Sequence, residues 1–165
     1  SFSPMKESHV FDLDKQPQES SEDGSWLKIA SSKEFPASSD MTGAIIHLEP
    51  GALSTMHWHP NASEWQYVLD GSYDLSVFAS EGQSSVSSLK QGDVGYVPRG
   101  YGHALLNTSS GPTDVLVVSD SGTYQSTNLN EWLASNPESV VVSNFKVPLS
   151  LEKKLTKGNA DFAPN

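Results

Sequence analysis

The chain has 165 residues and carries 20 acidic against 10 basic side chains, for a formal net charge of −10. That balance repels phosphate backbones and anionic lipid surfaces, so neither nucleic acid nor membrane is expected as a partner. Charged residues make up 18% of the chain and cysteine is absent, which argues against long charged helices and removes disulfides and thiolate chemistry.

The length fits one domain with a real core. The chain opens on Ser1 rather than Met, as a processed form would, and this leans toward secretion. A basic-then-apolar signal segment is not expected at "SFSPMKESH", and no apolar run in the given sequence approaches the length of a membrane span. Residues 1–40 are polar and turn-rich, with "DKQPQESSEDGS" as a loop between short apolar segments at Val10–Leu13 and Trp26–Ala30, and are expected to form an arm packed on the domain. Residues 41–122 read differently, as short β-like runs separated by turns such as Pro50-Gly51, Asp70-Gly71 and Gln91-Gly92-Asp93. The runs are "AIIHLE", "STMHWH", "EWQYVL", "YDLSVFA", "SVSSL", "VGYV", "HALLN" and "DVLVVS". Their length, spacing and β-branched or aromatic content predict an all-β sandwich or barrel. Residues 123–165 form an extension. In "STNLNEWLASN" the spacing of Leu129, Trp132 and Leu133 predicts a short amphipathic helix, and Pro137 can open a second one through "PESVVVSNF". The polar end is expected to fray beyond Gly158.

One constellation carries chemistry. Side chains alternate across a strand, so His57 and His59 in "MHWHPNASEW" project to one face, with Trp58 on the other. Pro60 and Asn61 turn the chain, which lets Glu64 return beside them, and His103 follows a second turn-rich stretch, "PRGYGH". Three imidazoles and one carboxylate suit Mn, Fe, Zn, Cu or Ni. With a divalent ion such a set keeps a net charge of about +1, which favours an anionic ligand. Two glycosylation triplets, at Asn61 and Asn107, fall inside these same stretches and carry little weight.

The spacing from Gly51 through His57, His59 and Glu64 to Gly71, and from Gly92 through Pro98, Gly100 and His103 to Asn107, resembles both signature motifs of the cupin superfamily. The resemblance implies a jelly-roll barrel, in agreement with the strand count. More narrowly, "LEPGALSTMHWHPNASEWQYVLDG", "GDVGYVPRGYGHALLNT" and "LNEWLASNP" are similar to the carboxy-terminal half of the two-domain, manganese-dependent oxalate decarboxylases, here standing as a single cupin. By that resemblance His57, His59, Glu64 and His103 are the metal ligands and Mn(II) is the metal. The substrate is oxalate or a similar small carboxylate, dioxygen is the co-substrate of an oxidase reaction, and the chain forms a dimer or a trimer-based homo-oligomer.

Three positions depart from the resembled pattern. Ser54 stands where an arginine is expected to grip the second carboxylate, and losing that bidentate contact should weaken oxalate binding. Val117 occupies the place of a glutamate on the last barrel strand, and "DSGTYQST" offers no glutamate for a lid. No catalytic residue can therefore be assigned, and a buried proton donor is expected to be missing. That absence favours oxidation over decarboxylation. It also keeps open a non-catalytic, storage-like cupin, and a dioxygenase or isomerase with the same ligand set. Tyr67, Arg99 and Asn107 are the candidates for touching substrate, although Asn107 equally suits tying the barrel together by hydrogen bonds. Trp58 is expected in the core, and His47 and His9 at the surface.

Overall fold

Alternation of inward and outward side chains builds nearly every element of the barrel. The computed structural model describes residues 1–148, 150 and 161–163. In chain order its strands are β1 (Glu19–Ser20), β2 (Trp26–Ala30), β3 (Thr42–Leu48), β4 (His57–Trp58), β5 (Glu64–Asp70), β6 (Ser72–Phe78), β7 (Ser84–Lys90), β8 (Val94–Val97), β9 (Gly102–Leu106), β10 (Thr113–Ser119) and β11 (Thr127–Asn128). Two short helices follow, α1 (Leu129–Ala134) and α2 (Glu138–Phe145).

The strands pair antiparallel into two sheets, ordered β1-β2-β3-β10-β5-β8 and β11-β4-β9-β6-β7, as a jelly roll requires. The strand β10 lies between β3 and β5, so its backbone is satisfied on both edges. Its even spacing turns Val115 and Val117 inward, where Leu48, Val68, Leu75, Val97 and Leu105 complete an apolar core. In β5 the same period buries Glu64, Gln66 and Val68 and exposes Trp65, Tyr67 and Leu69. Burying polar residues at the head of β5 has to be compensated by hydrogen bonds, and those bonds form the site described below.

Turn chemistry fixes where the strands reverse. Gly71, between β5 and β6, has φ +79°, and a Cβ there would lie 2.4 Å from Thr113 Oγ1 and 2.7 Å from the Pro112 carbonyl oxygen. Only glycine meets both conditions. The loop after β9 is pinned by Asn107, which is 1% exposed. Its Nδ2 donates to the carbonyls of Leu48, Glu49 and Gly111, while its Oδ1 accepts from Ser109.

The structure differs from the expectations in three places. Trp26–Ala30 does more than pack on the barrel: it is β2, registered against β3 from Trp26↔His47 to Ala30↔Gly43, because β3 would otherwise leave an unpaired edge. The run "STMHWH" shortens to His57–Trp58, since Ser54 N instead donates to Leu105 O and its neighbours bond to residues 161–163. His47 is paired rather than free in solvent, with Nδ1 2.6 Å from Asp114 Oδ1 and its ring stacked 5.1 Å from that of Trp26. Both expected helices form. Gly158 lies outside the described residues.

Asn107→Ala leaves several buried backbone groups without partners, so a loss of about 2–3 kcal/mol of stability is expected. Denaturant unfolding checks this. An unchanged midpoint would contradict the bracing role.

Candidate metal centre

The four residues come together because short pairings bring distant segments into register. On β4, His57 lies directly opposite His103 on β9. His59 follows one strand period later at the turn, and Glu64 opens β5. The ring centroids of His57 and His103 are 4.2 Å apart, and those of His59 lie 5.1 and 5.2 Å from the other two. One nitrogen from each of His57, His59 and His103 falls within 4.8 Å of the others, a group that could hold a metal ion. Glu64 adjoins it, with Oε2 2.8 Å from His59 Nε2 and Oε1 3.7 Å from His103 Nε2.

Each imidazole is oriented by a backbone carbonyl. His57 Nδ1 lies 2.7 Å from Thr55 O, His59 Nδ1 2.7 Å from Gln125 O, and His103 Nδ1 3.1 Å from Tyr101 O. A carbonyl can only accept, so all three Nδ1 atoms carry the proton and the Nε2 atoms remain to meet a cation. His103 Nε2 is buried and has no hydrogen-bond partner. A cation supplies what that lone pair lacks, and three neutral imidazoles with one carboxylate suit a first-row divalent metal.

Glu64 is itself held in place. Gln66 Nε2 donates to its Oε1 at 2.7 Å, and Tyr73, wholly buried, donates its hydroxyl to Gln66 Oε1 at 2.6 Å. Burial opposes ionisation of Glu64, but the bond from His59, the neighbouring His103 and the Gln66 amide outweigh it and bring the carboxyl down to about 2. The same contact raises His59 above the ordinary histidine value against the pull of burial. Burial, followed by the other two imidazoles, lowers His57 to about 3. Burial also lowers His103.

A cavity of about 40 Å³ adjoins these side chains. His57, His59 and Glu64 line it together with Leu27, Ala44, Ile46, Leu105, Val117 and Phe162, and with Ser54, Tyr124 and Asp161. The three candidates for touching substrate lie elsewhere. Tyr67 is an odd position of β5 and points out of the barrel, Arg99 is exposed in the turn before β9, and the amide of Asn107 is spent on the loop. Trp58, on the face of β4 opposite the histidines, meets Trp132 of α1 edge-on at 6.3 Å. Val117 lines the cavity, and Tyr124, within "DSGTYQST", lines it too, although that segment has no glutamate. Sequence reasoning missed Asp161, which stands 97 residues beyond Glu64 with no motif to mark it.

Comparison with known proteins agrees with this architecture. The cupin family model matches residues 11–152, and the chain belongs to the cupin family. Within it, the chain is 37% identical over 145 residues to an oxalate decarboxylase of Bacillus subtilis, covering 88% of this chain and 37% of that one. An oxalate decarboxylase of Arthroderma benhamiae is 35% identical over 81% of this chain and 32% of its own length. Germin-like protein 1 of Brassica napus is 36% identical over 52% of this chain and 42% of its own. A solved structure concerned with the Mn(II) centres of the Bacillus subtilis oxalate decarboxylase superposes with a TM-score of 0.86 at 35% identity, over 93% of this chain and 40% of that one. The chain thus spans about two-fifths or less of the oxalate decarboxylases it matches.

Gln66→Leu should leave the three histidines in place but free Glu64 to turn. Metal affinity is expected to fall by about 10–100-fold, as for other partners of metal ligands, whereas His103→Ala should abolish stoichiometric binding. Elemental analysis after dialysis checks both. A metal also has to displace the proton that Glu64 helps to hold on His59, so affinity should weaken as pH falls below the raised His59 value. Titrations at two pH values that gave equal affinity would contradict this.

Proposed function

We propose that the chain binds Mn(II) through His57, His59, His103 and Glu64 and acts on oxalate or a similar small carboxylate with dioxygen. The observation that carries the reading is the convergence of three imidazoles, each protonated at Nδ1 by its carbonyl partner, beside an ionised Glu64. Mn(II) in such a site supplies positive charge for a carboxylate and one-electron exchange with dioxygen.

The protein's own residues would do the rest. The Nε2 atoms and Glu64 hold the ion, and Gln66 and Tyr73 keep Glu64 turned toward it. The wall of Leu27, Ile46, Leu105, Val117 and Phe162 excludes bulk water, which strengthens electrostatic contacts inside. At roughly 10–15 Å³ for each water-sized position, about 40 Å³ admits only a few non-hydrogen atoms, which supports a very small substrate. No lysine or arginine is among the described residues lining the cavity. Ser54 is 4% exposed and its Oγ accepts from Leu105 N at 2.9 Å, so it cannot replace an arginine's grip. Weak oxalate affinity follows.

That same lack of a cationic anchor favours the second reading, a metal-holding cupin without turnover. For either reading, the outward row of Trp65, Tyr67, Val94 and Tyr96 on β5 and β8, each at least 42% exposed, supports assembly into a homo-oligomer. The deciding experiment loads the protein with Mn(II), supplies oxalate in air, and measures formate, carbon dioxide and peroxide together. Turnover to formate, or to carbon dioxide with peroxide, is expected. A fully loaded protein that made neither would overturn the oxalate reading in favour of the second.

A further inference from the structure

Residues 161–163 return to the barrel and form part of the cavity. Thr55 N donates to Asp161 O at 3.0 Å, Ala163 N donates to Leu53 O at 2.8 Å, and Phe162 bridges Ser54 antiparallel. Phe162 packs against the core, so the segment is anchored on both sides of Asp161's neighbour. Asp161 lines the cavity with His57, His59 and Glu64. Its side chain is hydrogen-bonded to that of Glu19, in β1. Two carboxyl groups can share a hydrogen bond only if one of them keeps a proton. Glu19 is exposed and borders a second, larger cavity of about 430 Å³ on the outer side.

We propose that Asp161 is the proton donor of this cavity and that Glu19 returns the proton to it from solvent, so that the C-terminal segment supplies the acid that "DSGTYQST" lacks. The assignment rests on the oxalate reading above. With oxalate, the carbon–carbon bond breaks, one carbon leaves as carbon dioxide, and the other must gain a proton: C2O4²⁻ + H⁺ → HCO2⁻ + CO2. The O–H bond of Asp161 breaks as the C–H bond of formate forms, and Asp161 is left as the carboxylate that Glu19 reprotonates. Without that proton, two electrons pass to dioxygen: C2O4²⁻ + O2 + 2 H⁺ → 2 CO2 + H2O2. Burial, then the bond to Glu19, raise the Asp161 carboxyl above the ordinary aspartate value, in the direction a proton donor needs.

The test compares the full-length wild type with Asp161→Asn and Glu19→Gln, all loaded with Mn(II). The wild type should show the infrared carbonyl stretch of a protonated carboxyl near neutral pH, and D161N should lose it at equal metal content. With oxalate in air, D161N should lower the ratio of formate to peroxide by about tenfold or more, and E19Q should slow formate release. Three results would overturn the assignment: no protonated carboxyl in the wild type, an unchanged product ratio in D161N, or loss of the metal from D161N, which would make Asp161 a ligand. If the wild type showed the carboxyl band yet turned over no oxalate, the substrate reading would fail while the protonated pair stood.

Discussion

Three hydrogen bonds from imidazole Nδ1 atoms to backbone carbonyls hold the site together. Each is worth only about 1 kcal/mol as a contribution to stability. Their larger effect is on tautomer choice: they commit each ring to presenting Nε2 inward. Two of the carbonyls, Thr55 and Tyr101, lie two residues before the histidine they orient, so the short segment leading into that histidine's strand positions them. The third, Gln125, lies 66 residues from His59 and reaches it only because β11 pairs with β4 through Thr127↔Trp58 and Asn128↔His57. Wholly buried Asn128 strengthens that pairing by accepting from Thr55 Oγ1 at 2.9 Å. The small strand β11 is thus part of the site.

A buried carboxylate at the head of a barrel strand is costly unless it is fully partnered. Glu64 meets that condition through His59, Gln66 and, through Gln66, Tyr73. Gln66 and Tyr73 sit on β5 and β6, which belong to different sheets and are joined through Gly71, so the glycine at which the chain crosses between the sheets also helps set where Tyr73 meets Gln66. Folding and charge placement are therefore coupled. A lapse in the turn would displace the group that keeps the carboxylate aimed.

Much of this could be read from the residues. The period of two placed His57 and His59 on one face and Trp58 on the other, and the turn signals marked most strand ends. Tyr67 is a candidate for substrate by sequence, but the same period sets it on the face of β5 opposite Glu64 and Gln66. The role of Trp26–Ala30 as a barrel strand was harder to see, because pairing of the arm with β3 depends on an edge that only the assembled sheet defines. His47 looked free for the same reason: its partners Asp114 and Trp26 come from neighbouring strands. Asp161 left no local trace, because what places it is backbone pairing to Leu53 and Thr55 rather than any motif around it.

Ser54 and Asp161 are best understood together. Ser54 is buried, its hydroxyl accepts from Leu105 N, and its backbone bridges Phe162. An arginine there would need room for a long charged side chain where Phe162 and the cavity's apolar wall already pack. The small residue at position 54 thus leaves the space in which Phe162 and Asp161 dock. The cavity gives up a group suited to gripping a second carboxylate and gains a carboxyl hydrogen-bonded to Glu19, whose own side reaches solvent. On the proposed reading, such an exchange trades ground-state affinity for a proton held beside the histidines.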